Sequence, residues 1–483
     1  MGVTRRGTRR AVGLLLTGAL LVGGCQSAPE RRDGPSGAPS SPDFRPGAAG
    51  IGDDYFPTYG NGGYDVDRYT VRVRYDPADE RLTGATTIEA TAVADLSSFN
   101  LDLSGLTVSK VTVDGADARH RQEGSELVVT PAAGLRTGTG FRTEVTYAGR
   151  PQPIENETLG EGGWLHTVDG AIALGQPESA SSWFPVNDHP SDKATYDFEI
   201  TVPEGLTAVS NGVPQGRSSA DGWTTWKWAE RVPMASYLST VVIGRFRVST
   251  GEHKGRPVYH AVSTGLPKGP ADESIAATVR VADYLETLFG PYPVQAYGGV
   301  AIADHRIRYA LETQSRPVYG PSFFAQGSNV EVVVHELAHQ WFGNSVALTR
   351  WSDIWLNEGF ATYAEWLWRE HDGGPRVQQT FDARYAEASP QLWSTPPGRP
   401  GPENLFSESV YQRGAMTVHA LRLAVGDDAF FRILKTWAAE KRDANATTDE
   451  FVALAERISG KQLDDVFDPW LYGTRRPTHP QPR

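Results

Sequence analysis

Apolar and polar positions along this chain follow two periods in succession. From about Asp53 to Val248 the period is two: Tyr69-Thr70-Val71-Arg72-Val73-Arg74-Tyr75 alternates, and so does Thr195 to Val202. Successive side chains of a strand point to opposite faces, so such runs bury one face and wet the other. Trp223, Trp226, Trp228 and the run Ser236 to Val248 continue the pattern, broken by Gly, Asp and Pro turns. The spacing predicts a large antiparallel β domain over residues 53–248.

Beyond it the period lengthens to that of helices. Asp272 to Leu288 carries apolar residues at helical spacing and stops at Gly290-Pro291. Tyr297 to Ala303 reads as a strand. Asn329 to Phe342 reads as a helix, with Ser328 and Glu331 spaced as a capping box. Further helices are predicted around Glu358 to Arg369, Val410 to Val425, Ala429 to Lys441 and Thr448 to Ile458. The Pro- and Gly-rich interval from Gly373 to Pro402 reads as a broken helix plus loop. The pattern therefore places a mixed, mainly helical domain over residues 249–475, with a tail at 476–483 and no internal repeat.

The N-terminus belongs to neither period. Arg5, Arg6, Arg9 and Arg10 precede an apolar stretch from Ala11 to Leu21, too short to span a bilayer but suited to a signal peptide over residues 1–24. Val22-Gly23-Gly24-Cys25 resembles a bacterial lipobox, which makes Cys25 the expected lipid-modified first residue. The alternative is an ordinary signal peptide with a chance Cys; the paired arginines leave export by the twin-arginine route open. Residues 25–52 are rich in Pro, Gly, Ser, Ala and Arg, and read as a flexible tether. An exported protein, lipid-anchored to the outer face of a bacterial cell membrane or secreted, is the expectation. Cys25 is the single cysteine, so the mature fold can hold no intrachain disulfide.

Length argues for two or more domains. Removing the leader, with four Arg and no acids, takes the net charge from −12 to −16. So acidic a surface disfavours nucleic acid, which needs a basic footprint. No obligate protein partner is evident.

The chemistry is concentrated in His335-Glu336-Leu337-Ala338-His339 and in Glu358 of Trp355-Leu356-Asn357-Glu358-Gly359-Phe360. On a helix, positions i and i+4 share a face, so both imidazoles can bind one metal ion. A Glu from the next helix completes a three-ligand Zn²⁺ site with its fourth corner open to water. Such a metal lowers the pKa of bound water to about 7. Glu336 beside His335 is then the candidate general base, passing the proton on to the leaving amine. Glu365, seven positions after Glu358 on the same helix face, is a candidate to orient a ligating His; a solvated Glu is the alternative. The other histidines show no ligand spacing, so one Zn²⁺ per chain is expected.

The segment Val334 to Asn344, with Trp355 to Phe360 downstream, resembles the aminopeptidase N-type zinc peptidases, gluzincins related to leukotriene hydrolase. The order of a β domain before a catalytic domain agrees, and the resemblance covers about Asp53 to Thr474. It implies a thermolysin-like catalytic domain and removal of N-terminal residues from peptides with a free N-terminus. Tyr411 in Tyr411-Gln412-Arg413-Gly414-Ala415 resembles the family's Tyr-x-Lys-Gly-Ala, which implies an oxyanion donor. Ala310-Leu311-Glu312-Thr313-Gln314 resembles Gly-Ala-Met-Glu-Asn, which implies that Ala310 and Leu311 lie along the substrate and that Glu312 grips the α-amine. Tyr309 stands where the family has Gly, which puts side-chain preference in doubt. Gln176-Pro177-Glu178 resembles the family's Gln-x-Glu, implying Glu178 as a second carboxylate at the amine and Gln176 near the first side-chain pocket. Only a few residues follow Trp470 to Thr474, so the family's C-terminal helical-repeat domain is not expected. The rival readings are an endopeptidase, an epoxide hydrolase on the same scaffold, and a non-catalytic zinc-binding lipoprotein.

Overall fold

Eight strands build the largest sheet, in the order Val213–Ala220, Trp223–Ala235, Lys193–Pro203, Tyr64–Asp76, Arg81–Ala92, Gly140–Gly149, Thr107–Val113, Ala116–Asp117. The structure is a computed structural model that describes residues 43–156 and 160–480; the leader, Cys25 and most of the tether lie outside the described residues. Alternation sets the buried face. In Lys193–Pro203 the buried residues are Ala194, Tyr196, Phe198, Ile200 and Val202. Tyr196 stacks on Tyr69 of the neighbouring strand at 5.0 Å and 16°. Fully burying each such large side chain contributes roughly 1.5–3 kcal/mol before the entropy of ordering it.

This region is not purely antiparallel, as its spacing had predicted. Lys193–Pro203 runs parallel to Tyr64–Asp76, with Phe198 opposite Val71 and Ile200 opposite Val73. Parallel neighbours need a long connection. Here the chain between them forms most of the other strands, including much of a five-stranded sheet of Pro153–Asn156, Gly160–His166, Ala171–Leu174, Val241–Gly244 and Thr207–Ser210.

A second five-stranded sheet, mixed in direction, opens the helical region. Its order is Phe246–His253, Arg256–Ser263, Tyr297–Ala301, Val318–Tyr319, Ala310–Leu311, so the short Ala310–Leu311 strand lies at an edge. The helix expected from Asp272 to Leu288 is two, Pro270–Ala276 and Thr278–Phe289. At the break the Thr278 hydroxyl donates to the Ile275 carbonyl at 2.6 Å, a local bond that competes with the helical ladder. Trp355–His371, Gly414–Val425, Asp427–Glu440 and Thr448–Ser459 form the remaining long helices, close to their predicted spans. The interval after Gly373 holds two short helices, Val377–Glu387 and Pro390–Ser394.

Hydrogen bonds fix the catalytic region on the β region. The half-buried Lys193 donates to the Asn344 and Ser345 carbonyls at 2.8 and 2.9 Å. Asn211 donates to the Gln314 carbonyl at 3.0 Å, while the Ser315 hydroxyl accepts from Gly212 N–H at 2.6 Å. Among the described residues no helix is long and apolar enough to cross a membrane.

Candidate metal centre and substrate cleft

The helix Val330–Ala338 carries the first imidazole and ends just before the second. Its N-cap is Asn329, whose side chain accepts from Val332 N–H at 3.2 Å. The expected capping box at Ser328 and Glu331 does not form. The Ser328 hydroxyl instead bonds Glu273, and Glu331 pairs with Arg369 of the neighbouring helix. The tertiary partners take both side chains from the local motif. The α-helix proper ends at Ala338, and turns continue it through Phe342. Val333, Val334, Leu337 and Ala338 are fully buried, which holds the helix rigidly beneath the cleft.

His335 and His339 converge on the helix Trp355–His371. Glu358 Oε2 lies 3.3 Å from His335 Nε2 and 3.4 Å from His339 Nε2. Both Nδ1 atoms face other acceptors: Glu365 Oε1 at 2.6 Å for His335, and the Phe342 carbonyl at 3.0 Å for His339. With each Nδ1 facing its own acceptor, both Nε2 atoms are directed at one point beside the Glu358 carboxylate. This is the donor set that a zinc ion takes, and the three groups fit it. A second triple, Glu312, Glu336 and His339, shares His339 and so belongs to the same cavity.

Burial pushes the Glu336 carboxyl up to about 8, against the lowering pull of both imidazoles. Glu358 goes the other way: burial works to raise it, but His339 and His335 outweigh that and hold it ionised, at about 2. Burial and the two imidazoles thus drive these neighbouring carboxyls in opposite directions.

Tyr411 reaches the centre because two helices cross without side chains between them. A Cβ on Gly359 would lie 2.9 Å from the Gly414 carbonyl carbon and 3.0 Å from its Cα. The close approach brings Tyr411 over His335, with rings 6.0 Å apart and nearly parallel. Burial, followed by the charges of Glu358, Glu312 and Glu336, raises the phenol well above its ordinary value, so it stays a donor. Arg413 anchors this turn by donating to the carbonyls of Trp470, Trp393, Pro469 and Gly473 at 2.6–3.0 Å.

Glu312 is 2% exposed and held on both sides. Its Oε1 accepts from the Tyr237 hydroxyl at 2.8 Å and from Gln176 Nε2 at 3.3 Å. Its carbonyl accepts from Gln340 at 3.2 Å and Asn344 at 2.8 Å, two residues just after His339. The metal motif therefore also clamps the segment carrying Glu312. Tyr237, Gln340 and Asn344 acquire these roles only in the fold. Gln340 and Asn344 stood inside the motif with no partner readable, and Tyr237 was one more residue in a strand-like run.

The cleft at this centre has a volume of about 430 Å³ and is lined by Glu312, Glu336, Tyr411 and the three convergent ligands, among others. Adjoining it is a cavity of about 240 Å³ whose walls include Tyr59, Gln176, Glu178, Leu311 and Phe406. Tyr309 and Ala310 line both. Burial, then the charge of Asp188, raises Glu178 to about 7 despite its bonds to Tyr59 and Ser181.

Comparison with known proteins agrees with this architecture. Residues 65–238 match the Peptidase M1 N-terminal domain and residues 274–470 the Peptidase family M1 domain. The fold and centre define a two-part zinc metallopeptidase scaffold. The chain is similar to the M1 zinc metallopeptidase of Deinococcus radiodurans, at 32% identity and a TM-score of 0.82, over 90% of this chain and 99% of that one. A mutant of that protein is described as bound to a Tyr-Ser-Ala substrate. Aminopeptidase N of Lactococcus lactis subsp. lactis is 31% identical over 60% of this chain and 37% of its own length. Human glutamyl aminopeptidase is 30% identical over 61% and 33%. The matched part thus spans about a third of these curated relatives. The chain belongs to peptidase family M1.

Proposed function

We propose that this chain is a zinc-dependent aminopeptidase that removes N-terminal residues from peptides. The observation that carries the reading is the placement of Glu312. A buried carboxylate, oriented by Tyr237 and Gln176, ends an open edge strand beside the three-ligand centre. An extended peptide adding to that edge would place its ammonium against Glu312 and Glu178 and its first carbonyl near Tyr411.

His335, His339 and Glu358 would hold the zinc, which when bound supplies a Lewis acid for the scissile carbonyl and makes water nucleophilic near neutral pH. Glu336 accepts the proton of the attacking water and returns it to the departing amine. Tyr411 donates its hydroxyl hydrogen to the oxygen that gains negative charge. Glu312 and Glu178 fix the ammonium, so a substrate without one leaves buried charge unmatched and binds poorly. Gln176 and Leu311 border the cavity that takes the first side chain. Glu365 holds His335 in the tautomer that ligates.

The direct test compares a tripeptide with its N-acetylated form. Hydrolysis of the free peptide alone, releasing its first residue, is expected. Equal cleavage of the blocked peptide would make the enzyme an endopeptidase.

For cell location the reading is an exported lipoprotein, anchored through Cys25 to the outer face of a bacterial membrane. The arginine-led apolar leader and the lipobox-like Val22 to Cys25 support it. Fractionation of the wild type and Cys25→Ser, with mass analysis of the mature N-terminus, tests it. Acylated wild type in membranes and soluble or unprocessed Cys25→Ser are expected; an unmodified wild-type cysteine would remove the anchor.

A further inference from the structure

The cleft is lined by carboxylates, Glu312, Glu336 and Glu358 among them, and also by Arg308, on the segment that leads into the edge strand. The second arginine lining this cleft, Arg369, is tied to Glu331. Nearby Arg306 is bound by Asp304 and the His166 carbonyl. Arg308 is exposed, and among the described residues no acid or carbonyl partners it. It lines both the cleft and the neighbouring cavity of about 640 Å³. A free guanidinium beside a cleft of carboxylates, on a strongly acidic protein, has no structural partner to hold it there.

We propose that Arg308 binds a carboxylate on the C-terminal side of the substrate, and so favours short peptides with a free C-terminus. This rests on the aminopeptidase reading above. Arg308 precedes Glu312 by four residues, at most roughly 13 Å of chain, with a bend at Tyr309. A tripeptide lying along the same edge spans roughly 10 Å from ammonium to carboxylate, and an arginine side chain covers the remainder. With its ammonium at Glu312, the substrate runs back toward Arg308, antiparallel to Ala310–Leu311, along the edge that Val318–Tyr319 leaves free. A zwitterion of that length meets an acid at one end and a guanidinium at the other. Planar, bidentate pairing suits Arg to this task better than Lys.

The experiment measures KM and kcat for trialanine, for its C-terminal amide, and for an amidated tripeptide ending in Glu, with wild type and Arg308→Ala. Wild-type turnover of alanyl-anilide first establishes the aminopeptidase reading, so the two claims fail separately. Wild type is expected to show a KM at least threefold lower for the free acid than for the amide, with kcat little changed. In Arg308→Ala that ratio should fall to one, and Arg308→Lys should restore part of it. If the Glu-ending amide regains the preference, a side-chain carboxylate serves equally; if it does not, the terminal carboxylate is the ligand. No preference in wild type for either carboxylate, or an undiminished one in Arg308→Ala, overturns the proposal.

Discussion

Gly359 and Gly414 touch backbone to backbone, and that contact sets the distance between Glu358 and Tyr411, which we propose as third metal ligand and oxyanion donor. Glu358 precedes the first glycine and Tyr411 lies three residues before the second. A methyl group at either would meet main-chain atoms at 2.9–3.0 Å, so the helices must part. Overpacking of this kind costs about 1–3 kcal/mol. Gly359→Ala is expected to lower the midpoint of thermal unfolding and to reduce kcat about tenfold or more while zinc still binds. Melting curves and metal content on one preparation check it.

Tyr237 gives a cleaner separation of binding from chemistry. Its hydroxyl donates to the Glu312 carboxylate at 2.8 Å, and a bond to a charged group is worth about 1.5–3 kcal/mol. Tyr237→Phe should raise KM for free-amine substrates about tenfold and leave kcat within about twofold. A fall in kcat with KM unchanged would place Tyr237 in the chemical step instead.

Glu365 predicts an effect on metal rather than on substrate. Its 2.6 Å contact with His335 Nδ1 leaves Nε2 to face the metal in the proposed site. Loss of such a partner typically weakens metal binding 10–100-fold, so Glu365→Gln should release zinc to a competing chelator at about that lower concentration. The zinc-saturated variant should retain most of its turnover.

Acid stability should report on Asp53. Burial raises this carboxyl, but bonds from His189 and from Trp351, Tyr55 and Phe56 N–H outweigh it and lower the group to about 2. The group is depressed in the fold, so its stabilisation is complete above the unfolded value near 4 and disappears as pH falls through about 2. The shift corresponds to about 2 kcal/mol. Asp53→Asn should be less stable than wild type at pH 7 by roughly that amount, with the gap closing toward pH 2. Denaturant melts across that range check it; a gap that stays constant with pH would show that Asp53 is not the titrating group.

The convergence of His335 and His339 was legible because their geometry is local. His335 and His339 are one helical turn apart, and period and spacing suffice to put both on one face. Glu358 was legible through its motif, and Glu365 by its helical phase. What escaped is contact across the chain. Ser328 and Glu331 satisfy a local capping rule, yet Glu273 and Arg369 hold them. The parallel pairing of Lys193–Pro203 with Tyr64–Asp76 depends on which strands fold between them, and alternation is blind to strand direction. Tyr237 is 75 residues from Glu312, and nothing in a strand-like run marks one tyrosine as its donor.

The central claim is that one zinc ion, held by His335, His339 and Glu358, is what the hydrolysis requires. Titrating metal-free protein with zinc, while following bound metal and alanyl-anilide turnover together, tests it most directly. Activity should rise from zero in parallel with binding and level off at one ion per chain. Turnover before any zinc is added, or activity that continues to rise past one equivalent, would contradict the account.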